Sequence, residues 1–279
     1  MLGIVSNKAH DGTIDQVYAG DLLGNVWRFD LSETAISGSA ATGPYPAPTL
    51  FATLTDPSGA AQPITTAPRI ETDIDSTGLG TLRWVFVGTG QFLATSDLTS
   101  TQQQTMYALR DGTGSTPATA GLPRSRTAVS PYNLISNPLT APLALTDSST
   151  GWYYDLPGTA GSSGGTERIV VNPDSAAGVP IIAWASITPS SDPCSLLGNI
   201  YAVDFSTGET VIYGTGSTTT LVASIKTGTA TNGAQVVQLP NGTYSILYGQ
   251  TGALPATANI KQPGGGNFLY RVNWREILQ

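Results

Sequence analysis

The sequence predicts an all-β protein of the β-propeller type, quinoprotein-like, with about four antiparallel blades or part-blades and long loop insertions. Three observations carry that expectation. A Gly-Asn turn opens an aromatic strand at Gly24-Asn25-Val26-Trp27-Arg28-Phe29-Asp30, again at Gly198-Asn199-Ile200-Tyr201-Ala202-Val203-Asp204, and again at Gly266-Asn267-Phe268-Leu269-Tyr270-Arg271-Val272, with a looser copy at residues 105–111. Each copy has an apolar strand upstream, at residues 17–19, 84–88, 181–185 and 244–249. The composition has 32 Gly, 19 Pro and only 11% charged residues, which suits turns and strands and leaves few of the Lys and Glu that long solvated helices use.

Strand, Gly-containing turn and aromatic strand, repeated, is the grammar of propeller blades, small antiparallel sheets that pack on one another around an axis. The copies are further apart than the roughly 40–45 residues of a compact blade, so insertions must separate the strands. Residues 32–48 and 112–147, rich in Thr, Ser, Ala, Gly and Pro, read as surface loops without a core of their own.

The first element in chain order is a loop at residues 7–15. Its oxygen-bearing residues follow the cadence of a calcium loop: Asn7 and Asp11 at the first and fifth positions, Gly12 at the sixth for the turn, the carbonyl of Thr13 at the seventh and Asp15 at the ninth. Ala9 supplies no side-chain oxygen at the third position, and Tyr18 stands where an EF-hand has its closing Glu, so Ca2+ binding here is expected to be weak or completed by water. The same residues also read as an Asp-Gly turn whose carboxylates bond backbone amides. A hairpin follows through Gly24-Asn25, with Trp27 and Phe29 on one face of its second strand.

Residues 62–70 form an extended segment fixed by Pro63 and Pro68, suited to an innermost blade strand. Glu71, Asp73 and Asp75 alternate along the next stretch; a second metal loop is conceivable there, but the glycine spacing favours a solvated strand end. Gly88-Thr89-Gly90 has neither the Lys nor the helix of a phosphate loop and reads as a strand-end turn. Residues 151–157 and 167–171 read as two paired strands whose aromatics pack between blades, and Asn241-Gly242 signals a type I′ hairpin turn between 233–240 and 244–249.

Composition excludes several functions. With a net charge of −7 and no Lys/Arg cluster, nucleic acid is not an expected partner. No apolar run reaches membrane-spanning length. The single histidine, His10, lies in the 7–15 loop without a recognisable Ser or Cys nucleophile, and no pair of carboxylates stands out for glycoside hydrolysis. Cys194 is the only cysteine and has no internal disulfide partner. Residues 1–5 are too short for a signal peptide, so the chain is expected to be either cytosolic or a piece of a longer secreted chain.

Residues 18–31 resemble, position by position, the Tyr-Ala-Gly-Asp-Leu-x-Gly-Asn-x-Trp-Arg-Phe-Asp-Leu run of the PilC/PilY family of type IV pilus tip adhesins, in which an Asp/Asn-rich calcium loop precedes that run. Further landmarks follow in the family's order: Pro-Ile-Thr-x-Ala-Pro at 63–68, Val-Gly-Thr-Gly at 87–90, Gly-Trp-Tyr-x-Asp-Leu-Pro at 151–157, Glu167-Arg168, Asp-Pro-Cys at 192–194 and Trp-Arg-Glu-Ile at 274–277. The resemblance implies that residues 1–279 are the C-terminal part of such a propeller domain, with Asn7, Asp11, Thr13 and Asp15 as its metal residues. It implies a non-enzymatic pilus tip adhesin and biogenesis factor, extracellular at the pilus tip or outer cell surface. The implied partners are minor pilins or other tip subunits and a host or abiotic surface, with calcium regulating pilus extension against retraction. The family's loop lies inside its propeller, so the blades before it are expected from elsewhere, in cis or in trans, and partner contacts are expected at both open faces. The alternatives are a structural assembly module with no metal switch and a fragment of a quinoprotein-like propeller enzyme. The latter requires a cofactor-stacking aromatic and usually paired cysteines, neither of which is identified here.

Overall fold

A computed structural model of the protein describes residues 2–4, 14–31, 46–74, 81–112, 118, 121, 123–157, 165–176, 178–189 and 196–263. Among these the strands form four sheets, which we number as blades in chain order. Blade 1 is β1 (Leu2–Ile4), β2 (Gln16–Gly20), β3 (Asn25–Asp30) and β4 (Thr49–Thr53), each paired antiparallel with the next. Blade 2 contains β5 (Arg69–Ile74), β6 (Thr81–Gly88), β7 (Thr105–Arg110) and β9 (Gly151–Asp155), with the two-residue β8 (Ile135–Ser136) added parallel at its outer edge. Blade 3 is β10 (Asp174–Ser175), β11 (Ile181–Thr188), β12 (Leu197–Asp204) and β13 (Ile225–Thr227). Blade 4 is β14 (Thr231–Gln238), β15 (Tyr244–Gln250) and β16 (Ala256–Asn259), the last of which sequence reasoning had not identified as a strand. The first strands adjoin in succession, β1 to β5, β5 to β10 and β10 to β14, as the inner strands of a propeller do.

Period-2 alternation explains the packing. On β6, Trp84 and Phe86 face blade 3 while Val85 and Val87 face blade 1. On β11, Ile182 and Trp184 face blade 2 while Ile181, Ala183 and Ala185 face blade 4. Strands buried on both faces carry apolar residues at nearly every position, which is why β6, β7, β11 and β12 are the most conspicuous in the sequence. Three apolar clusters result, one between each pair of neighbouring blades.

The end blades differ from this. Val26 and Arg28 are the buried positions of β3; Trp27 and Phe29, the predicted apolar face, are only half-buried, with Val17, Ala19 and Leu50 beside them. On blade 4 the face turned away from blade 3 carries exposed Gln235, Thr257 and Asn259. The two terminal faces are therefore unlike: that of blade 1 is apolar, whereas that of blade 4 sets Leu247 and Val237 among exposed polar residues.

Residues 62–68 do not form the predicted inner strand. The strand begins at Arg69, and the segment before it stitches two blades together: Ile64 N–H donates to Asp21 O (3.0 Å), while Pro63 O accepts from Gly90 N–H (2.7 Å). Ile64 lies on Gly20 so closely that a Cβ there would stand 2.3 Å from Cγ2; Ile169 repeats the arrangement on Gly88, at 2.4 Å. The predicted pairing of 151–157 with 167–171 also fails. β9 pairs with β7 and β8, whereas residues 166–169 form the second of these stitches, with Ile169 N–H donating to Thr89 O and Arg168 bridging to Ile187.

The 112–147 insertion is not a bare surface loop where it is described. It buries Leu134 and Leu139, contributes β8, bridges Ala52 through Arg124 and reaches blade 3 through Asn137. Apolar residues spaced among polar ones gave it a share in two cores. The last hairpin is likewise not type I′, because Asn241 keeps a negative φ. Pro240 presets the first central position of an ordinary turn closed by Gly242 N–H to Leu239 O (2.9 Å), with Gly242 alone at φ 82°. Asp21 to Asn25 and Asp56 to Ala60 repeat this turn, with Gly24 at φ 75° and Gly59 at φ 88°.

Candidate functional site

Of the predicted metal residues, Asp15 is described; Asn7, Asp11 and Thr13, together with Ala9 and His10, lie outside the described residues, as do Cys194, residues 192–194, the 266–272 repeat and residues 274–277. Asp15 is half-buried at the foot of the first hairpin, where its carbonyl accepts from Leu31 N–H (2.6 Å) just beyond the Gln16–Asp30 pair. The donor types of the 7–15 set, two carboxylates, an amide oxygen and a carbonyl, suit a hard oxygen-seeking cation such as Ca2+.

The next residues in the chain lead into a buried polar network between blades 1 and 2. Asp111, fully buried at the end of β7, accepts from Arg28 Nη1 at 2.7 and 2.9 Å, from the Tyr18 hydroxyl at 2.5 Å and from Ala118 N–H at 3.0 Å. Arg124 Nη2 stands 4.0 Å from it while its guanidinium lies over the Phe51 ring. Arg83 donates to Gln16 and lies 3.3 Å from the Tyr18 hydroxyl. Burial, and then the Asp111 charge, push the Tyr18 hydroxyl well above its ordinary range, so it stays a neutral donor. Gln16 and Tyr18 directly follow the 7–15 loop in the chain.

A second buried acid was missed by sequence reasoning, which read Glu167-Arg168 as a family landmark and the start of a strand. Glu167 is 4% exposed and accepts from the Ser186 and Tyr201 hydroxyls, the latter at 2.7 Å. The available signal was a charged pair opening the apolar run Ile169-Val170-Val171, a pattern that places a charge at the entry to a core. Glu167 lines a pocket of about 330 Å³ with Pro157, Thr188, Leu197, Asn199, Ser224 and Lys226. Arg168 points the other way and donates to the carbonyls of Gln91 (3.0 Å), Asp97 (2.7 Å) and Ser100 (3.0 Å), fixing the connection between β6 and β7.

Burial raises the Glu167 carboxyl above its ordinary value of 4.5, with the hydroxyl donors opposing the rise in part. The native state therefore holds this proton more tightly than the unfolded chain. The contribution to stability is greatest below about pH 4.5 and declines as pH rises through the raised native value. Glu167→Gln is expected to increase the melting temperature at neutral pH and to leave it nearly unchanged in acid. A thermal melt series across pH checks this, and a Gln variant less stable at neutral pH would refute it.

Glu71 also differs from the expected solvated strand end. Glu71 accepts from Ser175 and from Arg69, which also faces Asp174, so this end of β5 is tied to blade 3. Asp75 lies outside the described residues, and among the described residues no three His, Cys, Asp or Glu side chains are grouped as a metal site.

Strand direction alternates within each blade, so the connections sort to two ends of the arc. Those after the first and third strands emerge at one end, with Asp15 and the 112–147 insertion. Those after the second and fourth strands emerge at the other. A chain of contacts joins this second set from blade to blade: Ile64 to Asp21, Gly90 to Pro63, Ile169 to Thr89, Thr231 to Ser186 and Thr251 to Ala230.

Comparison with known proteins agrees with this architecture. The family model described as the PilY1 beta-propeller domain matches residues 3–128. The type IV pilus biogenesis factor PilY1 homolog of Xylella fastidiosa is 32% identical over 292 aligned positions, covering 96% of this chain and 21% of that protein. Type IV pilus biogenesis factor PilY1 of Pseudomonas aeruginosa is 29% identical over 229 positions, covering 68% of this chain and 19% of its own length. The chain thus spans about a fifth of the length of the curated relatives it matches. The crystal structure of the Pseudomonas aeruginosa PilY1 C-terminal domain superimposes with a TM-score of 0.61 at 20% identity, covering 92% of this chain and 59% of that one. Residues 3–128 are therefore PilY1-family β-propeller sequence, and the four-bladed arc that they begin has the fold of a PilY1 C-terminal domain.

Proposed function

We propose that this chain is the propeller part of a non-enzymatic type IV pilus biogenesis factor and tip adhesin that acts at the bacterial surface. Its partners would be pilin-like tip subunits and a host or abiotic surface. The observation that carries this reading is the 32% identity with the Xylella fastidiosa relative across 96% of the chain. In this reading Asn7, Asp11, Asp15 and the Thr13 carbonyl would hold a calcium ion weakly, since Ala9 supplies no ligand. The cation would offset the repulsion between Asp11 and Asp15, steadying the loop that runs into Gln16 and Tyr18. A second reading, an assembly module whose loop is no metal switch, has one observation in its favour. The base of the hairpin is closed by the Leu31 to Asp15 backbone bond, which needs no cation.

Two experiments separate these ideas. Substituting this chain for the matching segment of a PilY1 relative is expected to restore surface pili in cells lacking that relative. A chimaera that is secreted and folded yet makes no pili would sink the biogenesis reading. Calorimetric titration is expected to show weak calcium binding that Asp11→Ala removes. Tight stoichiometric binding unaffected by that change would sink the loop assignment, and no binding at all would favour the module without a switch.

A further inference from the structure

Among the described residues, the end of the arc opposite Asp15 exposes little charge and is tipped with apolar side chains. Where the second strand hands over to the third, every blade carries one or two of them: Leu22 and Leu23 on blade 1, Phe92 and Leu93 on blade 2, Leu197 on blade 3 and Leu254 on blade 4. Leu23, Leu93 and Leu254 are 70%, 67% and 86% exposed, so these side chains contribute little to the core. Two nearby carboxylates are engaged by donors of their own connections. Asp21 accepts from Leu23 N–H, Asn25 N–H and the Trp27 indole, and Asp97 accepts from Leu93 N–H, Ala94 N–H and the Gln91 side chain. Of the described residues in the connections at this end, Lys226 at the close of β13 is the only exposed charged one.

We propose that this rim is a lipid-interface surface, which seats on a zwitterionic bilayer with the leucines of successive blades entering the headgroup and acyl boundary. The spacing of the tips favours a membrane over a protein partner. They stand one or two to a blade on four separate blades, in connections that also expose the polar Thr95, Ser96, Thr99 and Thr251, so each is a separate tip rather than part of the contiguous apolar patch that a docked protein covers. A fluid layer closes around separated points, and removing each leucine from water is favourable. The charge pattern selects the lipid: a chain of net charge −7 with one exposed lysine among the described residues of this rim gains nothing from anionic headgroups and does not rely on salt-sensitive attraction. The inference goes beyond the pilus reading and does not depend on it.

The test is flotation of the full chain with large unilamellar phosphatidylcholine vesicles. The protein is expected to float with them, to about the same extent in low and high salt, and less well with phosphatidylserine added. The combined variant Leu23→Asn, Leu93→Asn, Leu254→Asn is expected to bind about tenfold less or weaker, with an unchanged melting temperature because all three side chains are exposed, whereas Lys226→Gln should bind as the parent does. Absence of flotation, or equal flotation of the parent and the triple variant, would overturn the proposal. So would a parent that stays off the vesicles but self-associates in light scattering through the same leucines, which would assign the rim to contact between copies.

Discussion

Replacing Asp111 by alanine is expected to destabilise the protein by about 3–5 kcal/mol, because it leaves Arg28 charged and buried without its counter-ion. Arg124 adds a second cation 4.0 Å away, so the positive charge that remains is not shared with solvent. Replacing both members of the pair, Asp111→Leu with Arg28→Met, is expected to recover only part of the loss, since Arg28 no longer carries a stranded charge but Arg124 still lacks its carboxylate. A double-mutant cycle measured by denaturant unfolding checks this; additive losses would show that the ion pair is not the coupling element. The defect should also be local. Tyr18 and Arg28 belong to blade 1 and Asp111 to blade 2, so hydrogen exchange in β2–β4 should accelerate before β11 and β12 lose protection. Calcium, if the 7–15 loop binds it, should slow that exchange, because the loop continues directly into Gln16 and Tyr18.

Trp184→Ala is expected to cost about 3–5 kcal/mol, while Trp184→Phe should cost far less. The indole is fully buried between blades 2 and 3 and stacks on Tyr201 with ring centres 4.9 Å apart and planes within 4°. Its Nε1–H has no acceptor among the described residues, so the indole carries a desolvation cost that phenylalanine does not. Trp152 provides the contrast within the same cluster. Its Nε1–H donates to Phe205 O at 3.1 Å, so Trp152→Phe should strand that carbonyl and cost more than the same change at 184. Thermal melts of the three variants check the ordering, and equal losses for the two Phe variants would refute it.

The blade count and most strands were legible because they depend on local pattern. Central blades are buried on both faces, so β6, β7, β11 and β12 appear as near-continuous apolar runs, and period-2 alternation assigns each side chain to one neighbour or the other. The turns at Gly24 and Gly242 could be located from their residues, but the type at Gly242 was misread because Asn-Gly was given more weight than the Pro240 that precedes it. β16 was missed because Ala256-Thr257-Ala258-Asn259 lacks aromatics and is exposed at alternate positions.

What local pattern does not contain is which distant segments meet. The oxygen cadence at 7–15 could be read directly, but the buried cluster that it leads into comes from Gln16, Tyr18, Arg28, Arg83, Asp111 and Arg124, drawn from two blades and an insertion, and the carboxylate at its centre is 93 residues from Tyr18. Glu167 likewise becomes a raised-pKa acid only when packing buries it, with the Ser186 and Tyr201 hydroxyls opposing that rise in part. The amino-acid sequence by itself determined the repeated β pattern, the low charge and the family resemblance, because each of these depends on neighbours in the chain. Only the tertiary structure decided the stitches at Ile64 and Ile169, the two buried acids and the gathering of exposed leucines at one end of the arc. Each of those depends on side chains brought together by the packing of one blade on the next.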